Sequence, residues 1–92
     1  MWIESAWSAI YKKGHYGKSH SHFPADISFV YYLKSSGNTS LIFNDNNLSL
    51  NPKTNDLIVF PGNSVHSVST HNEDEDRICL AGNIYYLHKE MP

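Results

Sequence analysis

The sequence predicts an all-β domain, a sandwich, barrel or jelly roll, on three observations. No stretch sustains a 3.6-residue apolar period. Short runs rich in Ile, Val, Tyr and Phe are separated by Asn, Gly, Pro, Asp and Ser. Seven or eight such runs follow one another at the short spacing of a sheet that folds back on itself through turns.

Taken in order, the first strand is expected over residues 3–12. The second, residues 27–34, holds the longest apolar run, Ile27 to Leu33 with Ser28 inside it. Strands over 40–43 and 47–50 flank Asn44-Asp45-Asn46, which tolerates left-handed backbone and makes the pair a hairpin. Residues 51–55, Asn-Pro-Lys-Thr-Asn, read as a longer corner. A strand over 56–60 is closed by Pro61-Gly62-Asn63. Strands over 66–70 and 77–87 complete the set, separated by the acidic run Glu73-Asp74-Glu75-Asp76, which reads as a solvated loop.

At 92 residues the chain is expected to form one domain over 1–92, with a modest core. Hydrophobic residues make up 40% and charged residues 17%, which is globular rather than disordered composition. A net charge of −2 without a basic patch points away from nucleic acid and from anionic membranes. No apolar run is long enough to cross a bilayer as a helix. Met1-Trp2-Ile3-Glu4 has neither the basic nor the apolar region of a signal peptide. Cys79 is the single cysteine, so no internal disulfide forms, and a cytoplasmic location is expected. Sequons at Asn38 and Asn47 read as coincidence in an Asn-rich chain of this kind.

Six histidines occur: His15, His20, His22, His66, His71 and His88. His20-Ser21-His22 carries the information. On a strand, residues i and i+2 share a face, so both imidazoles can reach one metal ion. A third ligand must come from a distant strand. His66, after Leu57-Ile58-Val59-Phe60-Pro61, is the candidate.

The spacing around these histidines is similar to the paired motifs of the cupins. Gly14 precedes His20 with five residues between, Asp26 follows His22 with three between, and Pro61 lies five before His66. Asn55 and Asn63 replace the glycines of the second cupin motif, and Asp26 replaces the glutamate of the first.

The same residues resemble the core of the Fe(II)/2-oxoglutarate oxygenases, prolyl hydroxylases among them. His20-Ser21-His22-Phe23-Pro24 before Phe29-Val30-Tyr31-Tyr32-Leu33 matches their first ligand pair and the strand after it. Leu57 to Pro61 through His66-Ser67-Val68 matches their distal-histidine segment, and Arg77-Ile78-Cys79-Leu80-Ala81-Gly82-Asn83 their 2-oxoglutarate-binding strand. More narrowly, the chain resembles a group of short bacterial and phage oxygenases that read His-x-His in place of His-x-Asp. The resemblance runs from about Trp7 to Tyr86 and implies a minimal jelly roll, the cupin-like double-stranded β-helix.

It also implies a site. His20, His22 and His66 would hold Fe(II) and carry the catalysis, with 2-oxoglutarate and O2 as co-substrates and hydroxylation as the expected net reaction. Arg77, the chain's only arginine, would bind the far carboxylate of 2-oxoglutarate through its planar fork. Tyr32 would assist it, and only one of Tyr31 and Tyr32 can face the pocket, because strand neighbours point to opposite sides. Tyr11 is a further pocket candidate. Trp2, Trp7, Phe29, Phe43 and Phe60 are expected in the core.

The sequence departs from the oxygenase pattern twice. His22 stands where the usual triad has a carboxylate, so the iron would keep its full charge and attract an anion more strongly. Cys79 stands where a serine often follows the arginine, and a thiol donates a weaker hydrogen bond. Other readings are a cupin-type metal dioxygenase that does not use 2-oxoglutarate, and a non-catalytic jelly roll that binds a small acid. Nothing in the sequence names an organic substrate. The oxygenases of this type cover one sheet with helices for which this chain has no room, so a homodimer involving residues 3–11 is expected.

Overall fold

The computed structural model describes residues 2–22 and 24–85 and contains eight strands and no helix among them. The strands are β1 (Trp2–Tyr11), β2 (Gly17–His20), β3 (Ile27–Lys34), β4 (Leu41–Phe43), β5 (Leu48–Leu50), β6 (Leu57–Pro61), β7 (His66–Val68) and β8 (Arg77–Tyr85). They form two four-stranded antiparallel sheets, ordered β1-β8-β3-β6 and β2-β7-β4-β5. Neighbours in a sheet are mostly distant in sequence, as in a jelly roll: Trp2 pairs with Tyr85, and Phe29 lies between Gly82 and Val59.

The expected strands are present, with shorter ends at β4, β5 and β7 and a one-residue shift at β1 and at β6, which takes in Pro61. The last was expected to reach residue 87, and its final two residues lie outside those described. β2 was not expected. Its sequence, Gly-Lys-Ser-His, is polar and mostly exposed, so no apolar alternation marks it. It is held instead by pairing with β7, Gly17 opposite Val68 and His20 opposite His66. The β4–β5 hairpin forms as read, but its left-handed residue is Asn47 (φ 53°), just after the Asn44-Asp45-Asn46 turn. The corner before β6 uses Asn55 in the same way (φ 76°).

The core lies between the sheets and is small. Leu41, Phe43 and Phe60 are buried, with Val30, Leu50, Ile58 and Val68 packed around them. The Phe43 and Phe60 rings meet edge to face at 5.0 Å between centroids, the arrangement aromatic quadrupoles favour. Two of the residues expected in the core lie elsewhere. Trp7 is 39% exposed beside His22, and Phe29 lies on the outer face of its sheet, its ring where a Gly82 side chain would be. Strand alternation explains Phe29, since hydrophobicity alone does not say which face of a strand is covered. Trp7 instead faces inward with Ala9 and Tyr11 but stands at the histidine end of the cavity, where it stays exposed. The side chain of Trp2 lies outside the described residues.

His71 is structural. It is 2% exposed, its Nε2–H donates to the Glu75 carbonyl at 2.7 Å, and its Nδ1 accepts from the Thr39 hydroxyl at 2.7 Å. These bonds close the end of the sandwich below Arg77. The acidic run lies on that rim and is paired to lysines, Asp76 with Lys12 at 2.9 Å and Glu75 with Lys34 at 3.3 Å.

Candidate metal centre and its cavity

His20 and His66 are brought together by the β2–β7 pairing, as register partners at the edge of the smaller sheet. His22 is not on a strand, so the shared face expected of His-x-His is not what aligns the two rings. The segment after β2 turns back, fixed by His22 N–H donating to the Gly62 carbonyl at 2.8 Å and Ala25 N–H to the His22 carbonyl at 2.8 Å. Gly62 N–H in turn donates to the Asp26 carbonyl at 3.1 Å. The two backbones run so close that a Cβ on Gly62 would overlap the Ala25 carbonyl. The glycine of Pro61-Gly62-Asn63 therefore does more than turn the chain: it docks the loop that presents His22.

The result is a cluster of three imidazoles whose ligand atoms all lie within 4.8 Å of one another. The ring centroids are 4.4 Å apart for His20 and His66, 4.9 Å for His20 and His22 and 5.1 Å for His22 and His66. Asp26 is not part of the cluster. His20 Nδ1 lies 2.7 Å from the Lys18 carbonyl and His66 Nδ1 lies 3.0 Å from the Ser64 carbonyl. A carbonyl only accepts, so each Nδ1 carries the proton and each Nε2 lone pair is left for a metal. The His22 ring rests against Trp7, 5.8 Å between centroids.

Burial holds the His66 and His22 imidazoles below their usual pKa, and the neighbouring histidines push the same way. Neutral imidazoles are what a metal binds, and three of them suit first-row ions such as iron.

From this cluster a cavity of about 90 Å³ runs inward between the sheets. Trp7, His20, His22 and His66 line it, as do Tyr11, Tyr32, Arg77 and Cys79 farther along. Small side chains at Ala9 and Ala81 leave the space, a signal legible only once strand register is known. Tyr32 is 1% exposed and lines the cavity, whereas Tyr31 points to the outer face and donates to the Asn55 side chain at 2.8 Å.

Arg77 is 2% exposed and forms no ion pair among the described residues. Its guanidinium lies between two rings, 5.0 Å from the Tyr11 centroid and 4.8 Å from that of Tyr32. Its Nε and Nη1 groups are buried without a hydrogen-bond partner. In the acidic run just before it, Asp74, Glu75 and Asp76 are turned to Lys13, Lys34 and Lys12, and Glu73 accepts from Ser36 and Asn38. Burial pushes the Tyr32 hydroxyl up to about 12 against the pull of the Arg77 cation, and raises Tyr11 and Cys79 as well. All three stay protonated near neutrality, so among the described residues no anion answers the arginine.

The site therefore fits a metal with an anionic companion. Three imidazole nitrogens stand at one end of the cavity, and a buried cation with two unsatisfied N–H groups at the other. A carboxylate would satisfy both groups.

The fold is shared with known proteins. An RmlC-like cupin from Desulfovibrio desulfuricans superimposes with a TM-score of 0.66 at 19% identity, covering 86% of this chain and 69% of that one. KdgF from Halomonas sp. gives 0.59 at 18% identity, covering 84% and 66%. At such identities the likeness speaks for the cupin jelly roll alone. No curated protein sequence matches significantly. The sequence itself matches the profile of the 2OG-Fe(II) oxygenase superfamily over residues 6–85, from the strand that carries Trp7 and Tyr11 to the end of the one that carries Arg77. With that match spanning nearly the whole chain, and a three-histidine cluster inside a cupin jelly roll, the protein belongs to the 2OG-Fe(II) oxygenase superfamily.

Proposed function

We propose that the protein is an Fe(II)- and 2-oxoglutarate-dependent oxygenase that hydroxylates an organic substrate. The observation that carries this reading is the unanswered buried charge of Arg77 in the same cavity as His20, His22 and His66. A cation buried without a partner is costly, and it is tolerated where a ligand completes it.

In this reading His20, His22 and His66 hold Fe(II). Bound there, iron with 2-oxoglutarate and O2 supplies the oxidation, which consumes 2-oxoglutarate to succinate and CO2 and inserts one oxygen atom into substrate. The chain's own residues do the rest. Arg77 binds the far carboxylate through its unpaired N–H groups. Tyr11 and Tyr32 sandwich the guanidinium and hold its plane. Cys79 lines the cavity as a small apolar surface rather than a strong donor. The Lys18 and Ser64 carbonyls fix the His20 and His66 tautomers. The mostly apolar walls limit water around the reacting centre. The lone cysteine supports a reducing, cytoplasmic setting for such a site.

Thermal melting under argon with Fe(II) or Mn(II), with and without 2-oxoglutarate, tests this. A ligand at about 100 times its Kd stabilises by roughly 2.7 kcal/mol, which for a domain of this size is a rise on the order of ten degrees. Metal should raise the midpoint, 2-oxoglutarate should raise it further, and Arg77→Ala should abolish the second rise only. Stabilisation by metal alone would favour a cupin-type dioxygenase that does not use 2-oxoglutarate, a reading that the absence of a carboxylate from the three-histidine cluster supports. No effect of metal would remove both.

A further inference from the structure

Strand alternation sends Ala9, Tyr11, Val30, Tyr32, Cys79 and Ala81 to the cavity, and so sends the residues between them to the opposite face of the β1-β8-β3-β6 sheet. That face is apolar. Ile10 is 54% exposed, Leu33 50%, Leu57 56%, Val59 58% and Leu80 39%. They fall on all four strands and on adjacent rows, since Ile10 pairs with Ile78 while Tyr31 lies between Leu80 and Leu57 and Phe29 between Gly82 and Val59. The face is also smooth, because the Phe29 ring fills the space above Gly82 instead of standing away from the sheet.

We propose that this outer face is the dimer interface of the protein, and that what covers it is the same face of a second copy. The charge pattern selects that partner. Lys34 closes one end of the patch and is paired with Glu75 at 3.3 Å. Between it and the Phe29 row the outward positions carry no charge, so an acidic or basic partner finds nothing to pair with. A second copy presents the same uncharged surface across a two-fold axis.

The area is also that of a dimer. Four strands about 4.8 Å apart and three outward rows about 6.8 Å apart make a flat patch on the order of 400 Å². Both copies together give about 800 Å² of flat sheet, and more accessible area once protruding side chains are included, the size of a weak, reversible dimer contact rather than of a permanent one, which buries about 1,200 Å² or more. Two sheets can pack face to face at about 10 Å with their side chains interleaved, as inside a β-sandwich. Leu80 and Tyr31 lie at the centre of the contact, and β1 takes part through Ile10.

The inference needs only the fold, so it stands or fails independently of metal and 2-oxoglutarate. Sedimentation equilibrium of the full chain from about 1 to 100 μM should show a dimer. Leu80→Lys and Val59→Asp should each weaken it at least about 100-fold, the first because two lysines then meet near the two-fold axis and the second because a carboxylate is buried against apolar side chains. Leu48→Lys, at a residue equally exposed but on the other sheet, should leave it intact. Near-ultraviolet circular dichroism reports whether each variant is folded, and Ile10→Lys at the sheet edge replaces any that is not. A wild-type monomer at 100 μM, including one that instead floats with phosphatidylcholine vesicles, would overturn the proposal. A dimer that survives these charges in folded protein would do so equally.

Discussion

Arg77 keeps its charge at 2% exposure with two N–H groups unpaired, between the rings of Tyr11 and Tyr32. Cation–π contact offsets part of the desolvation cost, on the order of 1–2 kcal/mol per ring. The arrangement has a signature at high pH. Burial raises Tyr32 to about 12, against about 10 in an unfolded chain. The folded state therefore binds more protons than the unfolded state between those values. Its stabilising effect is complete below about pH 10 and is lost as pH rises toward about 12, at most about 3 kcal/mol. Urea melts at pH 9, 10.5 and 11.5 would show the decline, and Tyr32→Phe, which keeps the ring over the guanidinium, should flatten it. An equally steep decline in the Phe variant would assign the effect to other groups. Arg77, Tyr32, Tyr11 and Cys79 were named from the sequence, and they lie on three paired strands, β1, β3 and β8, at positions that face the same side, so the sheet register brings all four to one cavity.

At the scale of elements, the three ligands arrive by different means. β7 supplies His66 and β2 supplies His20, while a loop supplies His22. That loop depends on Gly62, whose peptide is bonded to both His22 and Asp26. Gly62→Ala should push the two backbones apart and withdraw His22, costing about 1–3 kcal/mol of stability and weakening metal binding at least tenfold. Titration calorimetry with Mn(II) would read it, and unchanged affinity would show that the docking is unnecessary. Strand β3 was legible in the sequence to the residue because five of its eight side chains, Ile27, Phe29, Val30, Tyr31 and Tyr32, carry strong β-propensity. β2 was not legible, because an exposed polar edge leaves no apolar trace and its pairing is a property of tertiary structure. The covered face of β1 was illegible for a related reason: Trp7 and Ile10 are both apolar, yet one borders the cavity and the other faces outward.

The whole molecule stands on a core of a few residues, Leu41, Phe43 and Phe60 above all. Leu41 is 2% exposed, so Leu41→Ala should cost about 2–5 kcal/mol, or roughly 10–30 °C in Tm for a domain of this size. A scanning calorimeter would decide it, and a loss of only a few degrees would show that the sandwich collapses to fill the gap. The all-β class followed from turn spacing and the jelly roll from the resemblance of the motifs to those of cupins and oxygenases, both local signals. The sheet order did not, because β1-β8-β3-β6 is set by contacts between residues far apart in the chain.

Among the described strands β1 has one neighbour, β8, the last of them in sequence. During synthesis β1 leaves the ribosome early and waits, with its backbone donors and acceptors unclaimed, until residues 77–85 have emerged. Throughout that interval its natural substitute is the β1 of a neighbouring nascent chain on the same message. Slower translation of the middle of the sequence would lengthen that exposure, so the yield of soluble protein should depend on the rate at which residues between β1 and β8 are made.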